Sequence, residues 1–204
     1  MRILVANDAW QPQANGVVNT YQHLSKLAPQ FDVELKFVTP DQFASVPCPT
    51  YPDIPLSLVT PGRIKQIVHA AKPTFIHVAT EGPIGLATRA FCQNTGRKFT
   101  TRYHISARLP VPLAWGYAFE RWFHNSGCGM LVVTKSLADS LKSYGFRNMS
   151  PWSRGVDTSL FFPRAIRRFG KETVFLYVGR VAPEKNIEAF LSLTLPGQKV
   201  VVGD

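Results

Sequence analysis

Two cations share one short loop. Arg180 and Lys185 lie between an apolar run, Val174 to Val178, and a segment in which Ile187, Phe190 and Leu191 recur at helical spacing. The run reads as a buried strand and the loop as a strand-to-helix turn, which Gly179 eases. Arg brings a planar fork, Lys a compact charge, and the helix start free N–H groups. That set suits a diphosphate; the alternative is a solvated loop with two surface cations. Asn15-Gly16-Val17 forms a similar loop near the start of the chain. A glycine there lets a ligand approach the backbone, although Asn-Gly also simply turns a chain. His104 ends the strand-like run FTTRYH. At the carboxyl end of a strand in a parallel α/β protein it faces the ligand crevice; elsewhere it is a surface or core histidine, as His23, His69, His77 and His124 are read. Asp8 and Trp10 follow the first strand and face the same crevice. Glu81 opens a helix, where its charge favours the positive end of the dipole.

These residues need a scaffold, and the chain supplies an alternating one. Ile3–Ala6, Val33–Val38, Phe75–Ala79, Phe99–Tyr103 and Met130–Thr134 read as strands. Val17–Leu27, Arg63–Ala71, Gly85–Gln93, Ala114–Phe123 and Ser136–Tyr144 read as helices. Alternation of this kind predicts a parallel sheet with helices on both faces. Six prolines crowd residues 40–62, predicting loop with one short strand at Leu56–Val59. Met149–Gly170 reads as a crossing segment, with Asp157 as a turn residue. A second alternation follows: strand Val174–Val178, helix Glu184–Leu193, strand Lys199–Val202. One βαβ unit of about 30 residues cannot bury both faces of its sheet, so the chain reads as a piece of a longer protein. The expected domains are residues 1–168 and 169–204.

The formal net charge is +10, and residues 1–168 carry all of it, with 19 Lys/Arg against 9 Asp/Glu. Such a surface favours anions: phosphates or acidic lipid headgroups. No zinc-finger or RNA-binding signature points to nucleic acid. The three cysteines are scattered without metal-ligand spacing, which predicts reduced thiols and no metal. No apolar run approaches the roughly 20 residues of a membrane span, and no signal-peptide pattern opens the chain. The expectation is a cytoplasmic protein. The aromatic helix with Trp115, Tyr117, Phe119, Trp122 and Phe123 either packs into the core or rests on a membrane surface.

Five segments carry a resemblance. MRILVANDAWQPQANGVVNTYQHL, HVATEGPIGLATRAF, TTRYH, RGVDTSLFFPR and GRVAPEKN occur in the order seen in retaining, nucleotide-sugar-dependent glycosyltransferases of GT-B architecture. The chain looks closest to bacterial α-mannosyltransferase-like members. The resemblance implies a complete N-terminal, acceptor-side Rossmann-like domain and the first βαβ of a donor-binding domain. It implies transfer of a hexose, such as mannose, from a nucleotide-diphosphate sugar to a lipid or saccharide acceptor, with retention and without a metal or other cofactor. Gly16, Arg180 and Lys185 would contact the donor diphosphate, His104 would orient the sugar, and Asp8 and Trp10 would line the acceptor side. The family often pairs glycines where this chain has only Gly16. A UDP-sugar-dependent transferase is the alternative within enzymes; a non-catalytic remnant that binds an acceptor or partner is the alternative outside them. The basic first domain would also meet anionic membrane weakly, as a peripheral protein.

Overall fold

The structure, a computed structural model, describes residues 1–13, 16–48, 55–104, 113–163, 172–179, 181 and 185–203. Of the residues singled out above, Asn15, Arg180 and Glu184 lie outside them. The chain forms two compact units, Met1–Gly155 and Val156–Asp204.

The first unit alternates strands and helices as expected. Its strands are β1 Arg2–Ala6, β2 Glu34–Val38, β3 Ser45–Pro47, β4 Pro55–Ser57, β5 Phe75–Val78, β6 Phe99–Arg102, β7 Gly129–Val132 and β8 Met149–Pro151. Its helices are α1 Gly16–Leu27, α2 Pro61–Ala71, α3 Pro83–Asn94, α4 Leu113–His124 and α5 Lys135–Ser143. Six strands make one sheet in the order β2-β1-β5-β6-β7-β8, and every neighbouring pair is parallel.

Two elements differ from the sequence reading. The proline-rich stretch holds two short strands rather than one, since β3 pairs antiparallel with β4. The chain after α5 joins the sheet before it crosses, as β8 beside β7. Each piece is three residues long, too short for alternation to register.

Side-chain alternation sorts the core. Leu4 and Ala6 of β1, with Ile76 and Val78 of β5, pack under Ile64 and Val68 of α2 and Ile84 of α3. Val5, one residue out of phase, packs on the opposite face with Tyr21 of α1. Parallel sheets bury both faces, which is why these strands are apolar on successive residues. Beside α1 that second face leaves a cleft of about 470 Å³, with Leu24, Phe31, Phe75, Leu131 and Trp152 in its wall.

Local chemistry sets the helix ends. Thr60 accepts from the Arg63 N–H at 3.3 Å and Pro61 opens α2. Thr134 accepts from the Leu137 N–H at 3.1 Å and caps α5. Gly85 is required by packing: a Cβ there would lie 1.9 Å from the Thr80 carbonyl oxygen. Its absence lets α3 begin hard against the end of β5.

The second unit holds β9 Val174–Val178, α6 Ile187–Ser192 and β10 Gln198–Val202, with β9 and β10 parallel. The helix is shorter than the sequence suggests. Leu176 and Val178 stay 55% and 69% exposed, as a two-stranded βαβ unit dictates. Asp157 does act in a turn, its Oδ1 accepting from both the N–H and the Oγ of Ser159.

Candidate active site

The strand order reverses between β1 and β5, so the carboxyl ends of these strands and of β6 border the crevice where α/β folds bind ligands. Asn7 and Asp8 follow β1, Thr80 and Glu81 follow β5, and His104 follows β6. Gly16 opens α1 just beyond.

Asp8 is committed to structure. Its Oδ1 accepts from the Ile84 N–H at 2.7 Å; its Oδ2 accepts from the Thr80 hydroxyl at 2.8 Å and from the Gly85 N–H at 3.1 Å. The free N–H groups of α3 thus receive an internal carboxylate. Burial raises the Asp8 pKa, and the bonds from Ile84, Thr80 and Gly85 oppose that rise. Gly82 makes room for this carboxyl, because a Cβ would stand 2.5 Å from Asp8 Cγ.

Glu81 reaches elsewhere than the helix start. Its Oε1 lies 3.2 Å from His124 Nε2, and His124 Nδ1 lies 2.9 Å from the Thr101 hydroxyl oxygen. Trp10 packs against Phe37, with ring centroids 4.7 Å apart, and is partly exposed. His77 is held on both sides, by the Tyr21 hydroxyl and the Thr100 hydroxyl at 2.8 Å each. Burial, with the Arg102 charge nearby, lowers its pKa to about 3.

His104 is placed differently. Its ring donates to the Ala79 carbonyl, and Nε2 is sealed from solvent without a hydrogen bond in the structure. The donating nitrogen is therefore Nδ1, and Nε2 presents a lone pair. Burial lowers the pKa to about 4, with Glu81 opposing and Arg102 assisting, so the ring is neutral at pH 7. A neutral imidazole with one free acceptor can receive a hydrogen bond from a ligand hydroxyl.

Gly16 is exposed, and a Cβ there would come within 2.6 Å of the Arg154 Nη1. From sequence, Arg102 reads as part of a solvated basic run with Arg97, Lys98 and Arg108, and Arg154 carries no site role. Both lie in motifs quoted above, but neither spacing nor periodicity shows that the Arg102 side chain is only 1% exposed. In the second unit, Lys185 is exposed on the loop before α6, and Arg180 lies outside the described residues. Among the described residues no group of three His, Cys, Asp or Glu could hold a metal ion, and no helix is long and apolar enough to cross a membrane.

The chain is similar to proteins of known class. The family described as Glycosyltransferase Family 4 matches residues 14–160. The whole chain is 25% identical to a GDP-mannose-dependent alpha-mannosyltransferase of Corynebacterium glutamicum and spans 57% of it. It is 26% identical to the protein of that name from Mycobacterium tuberculosis and spans 63% of it. Sulfoquinovosyl transferase SQD2 of Arabidopsis thaliana is 25% identical over 93% of the chain and 44% of its own length. Among solved structures, Alr3699/HepE of Anabaena in complex with UDP matches with a TM-score of 0.66 at 13% identity, all of this chain against 61% of that one. The chain has the α/β fold of these GT-B structures, and it belongs to glycosyltransferase family 4.

Proposed function

We propose that this chain is the acceptor-side domain, with the start of the donor-side domain, of a retaining hexosyltransferase. The whole enzyme moves a hexose such as mannose from a nucleotide-diphosphate sugar to a lipid or saccharide acceptor. Family membership supports the class, and the GDP-mannose-dependent relatives support the donor. The observation that carries the reading within this chain is the unpartnered Nε2 of His104 at the strand ends.

In this reading His104 accepts a hydrogen bond from a hydroxyl of the donor sugar and orients it. Gly16 lets the donor diphosphate approach the start of α1, and Arg180 and Lys185 of the second unit hold that diphosphate. The acceptor oxygen attacks the anomeric carbon as the phosphate oxygen leaves on the same face. The acceptor's proton passes to the departing phosphate. Arg180 and Lys185 stabilise the charge that grows there, the preorganised electrostatic contribution to catalysis. Asp8 acts through α3, and Trp10 flanks the acceptor side. No step calls for a metal or other cofactor.

A UDP-sugar donor is the second reading, favoured by the HepE structures, one of which contains UDP-glucose. Transfer assays on the full-length protein with GDP-mannose and UDP-glucose decide between them. Turnover with neither sugar, across lipid and saccharide acceptors, would favour a non-catalytic acceptor- or partner-binding role. These 204 residues alone are expected to turn over little.

A further inference from the structure

Among the described residues, Arg102 is a buried charge whose guanidinium lacks hydrogen bonds. Its side chain is 1% exposed, and none of its three guanidinium nitrogens makes a hydrogen bond in the structure. It lies over the Trp152 ring at 4.3 Å and near the Tyr21 ring at 5.9 Å. The Tyr21 hydroxyl, bonded to His77 at 2.8 Å, also faces Arg102 and is a neutral group that leaves its charge uncompensated. Of the nearby acids, Asp8 is engaged with α3, and Glu81 lies 3.2 Å from His124 with its Oε1 making no hydrogen bond. A buried cation without a partner is strongly destabilising, and such a group ordinarily acquires an anion or is replaced by an apolar residue.

The surroundings close into a ring. Trp152, stacked on Arg102, stands two residues before Arg154. Arg154 lies over Gly16, the first residue of α1. Five residues along α1, Tyr21 returns to Arg102. Two guanidiniums therefore flank the opening turns of one helix. Arg154 is exposed and Arg102 lies deep. The free lone pair of His104 lies within electrostatic reach of both.

We propose that Arg102 and Arg154 form an oxyanion subsite of the first unit for a terminal phosphate-type group on the acceptor. The oxyanion site stands on the geometry of this unit; only its assignment to the acceptor rests on the transferase reading. Two arguments favour the acceptor over the donor. A diphosphate linking nucleoside to sugar carries about one negative charge per phosphate, which Arg180 and Lys185 already balance. It is also substituted at both phosphates and presents no terminal phosphate group. A terminal phosphate is attached at one end only and carries about −1.5 to −2 charges at pH 7, which two guanidiniums match.

The test uses the 204-residue chain and inorganic phosphate, followed by calorimetric titration and thermal unfolding at matched ionic strength in chloride. Phosphate should bind and raise the melting temperature. Arg102→Met should weaken phosphate binding by at least about tenfold. Without phosphate it should melt at or above the wild-type temperature, because an unpaired buried charge is gone. Arg154→Ala should weaken binding and leave the phosphate-free melting temperature unchanged. Arg102→Lys should keep part of the affinity. Phosphate binding that survives both Arg102→Met and Arg154→Ala overturns the subsite, as does no phosphate effect beyond ionic strength. If Arg102→Met fails to fold, Arg154→Ala alone decides. In the full-length enzyme, an Arg154→Ala rise in KM for the nucleotide sugar with none for a phosphorylated acceptor would overturn the acceptor assignment. Transfer by the full-length enzyme is read separately, so it can stand while this subsite fails.

Discussion

Asp8 and Ile84 are joined at 2.7 Å, a carboxylate oxygen from the end of β1 accepting the backbone N–H that opens α3. Residues 76 positions apart thereby lock the two strand ends where the sheet reverses its order. Asp8→Ala should lower stability by about 1–3 kcal/mol, since it removes a helix cap and leaves donors of Thr80 and Gly85 unmet. Gly82→Ala should also destabilise, by forcing this carboxyl aside. Urea unfolding of both variants measures the effect; an unchanged midpoint would mean that water replaces the cap at no cost.

Acid should weaken the first unit through two buried histidines. His77 has a folded pKa of about 3 and His104 about 4, both below the unfolded value near 6.5. The unfolded chain therefore takes up protons first, and stability is lost as pH falls from about 6.5 toward the folded values. For His77 the loss between pH 7 and pH 5 is at most about 2 kcal/mol. Asp8 has the opposite sign: its raised pKa makes stability fall as pH climbs above 3.8 toward its folded value. Denaturant midpoints at pH 5, 6 and 7 test this, and His77→Gln should flatten the slope.

His104→Ala in the full-length enzyme should reduce transfer by far more than its modest cost in melting temperature, which comes from the lost Nδ1 bond to Ala79, because Nε2 bonds nothing within the fold. Its neutrality also means that its own titration should not shape the rate between pH 6 and pH 8. A large fall in melting temperature with transfer retained would make it a packing residue.

Arg180→Ala and Lys185→Ala in the full-length enzyme should lower kcat by about 10²- to 10³-fold and change KM less. Interactions that strengthen as the phosphate leaves act on kcat. Normal kcat with raised KM would reassign either cation to ground-state anchoring.

The basic first unit should bind anionic vesicles weakly and release them as salt rises, since each basic residue near the surface contributes about 1 kcal/mol and the attraction fades within a Debye length. Helix α4 offers a competing route. Phe123 is fully buried, whereas Trp115 and Trp122 are 72% and 53% exposed. Equal sedimentation with neutral and acidic vesicles would point to those tryptophans instead of charge.

The sequence alone determined the layered α/β architecture, because apolar runs and helical periodicity are local and recur along the chain. It also placed Gly16, Asp8 and His104 at strand ends, since a residue that follows a strand must stand at that edge of the sheet. Tertiary structure decided what each edge residue does. Asp8, read as facing a ligand, is consumed by α3, because only folding brings residue 84 to residue 8. Glu81, read as serving its own helix, faces His124 instead. The strand β8 and the buried, unpaired guanidinium of Arg102 left no local signature. Burial and hydrogen-bond satisfaction arise from contacts between distant segments, and neither periodicity nor composition encodes them residue by residue.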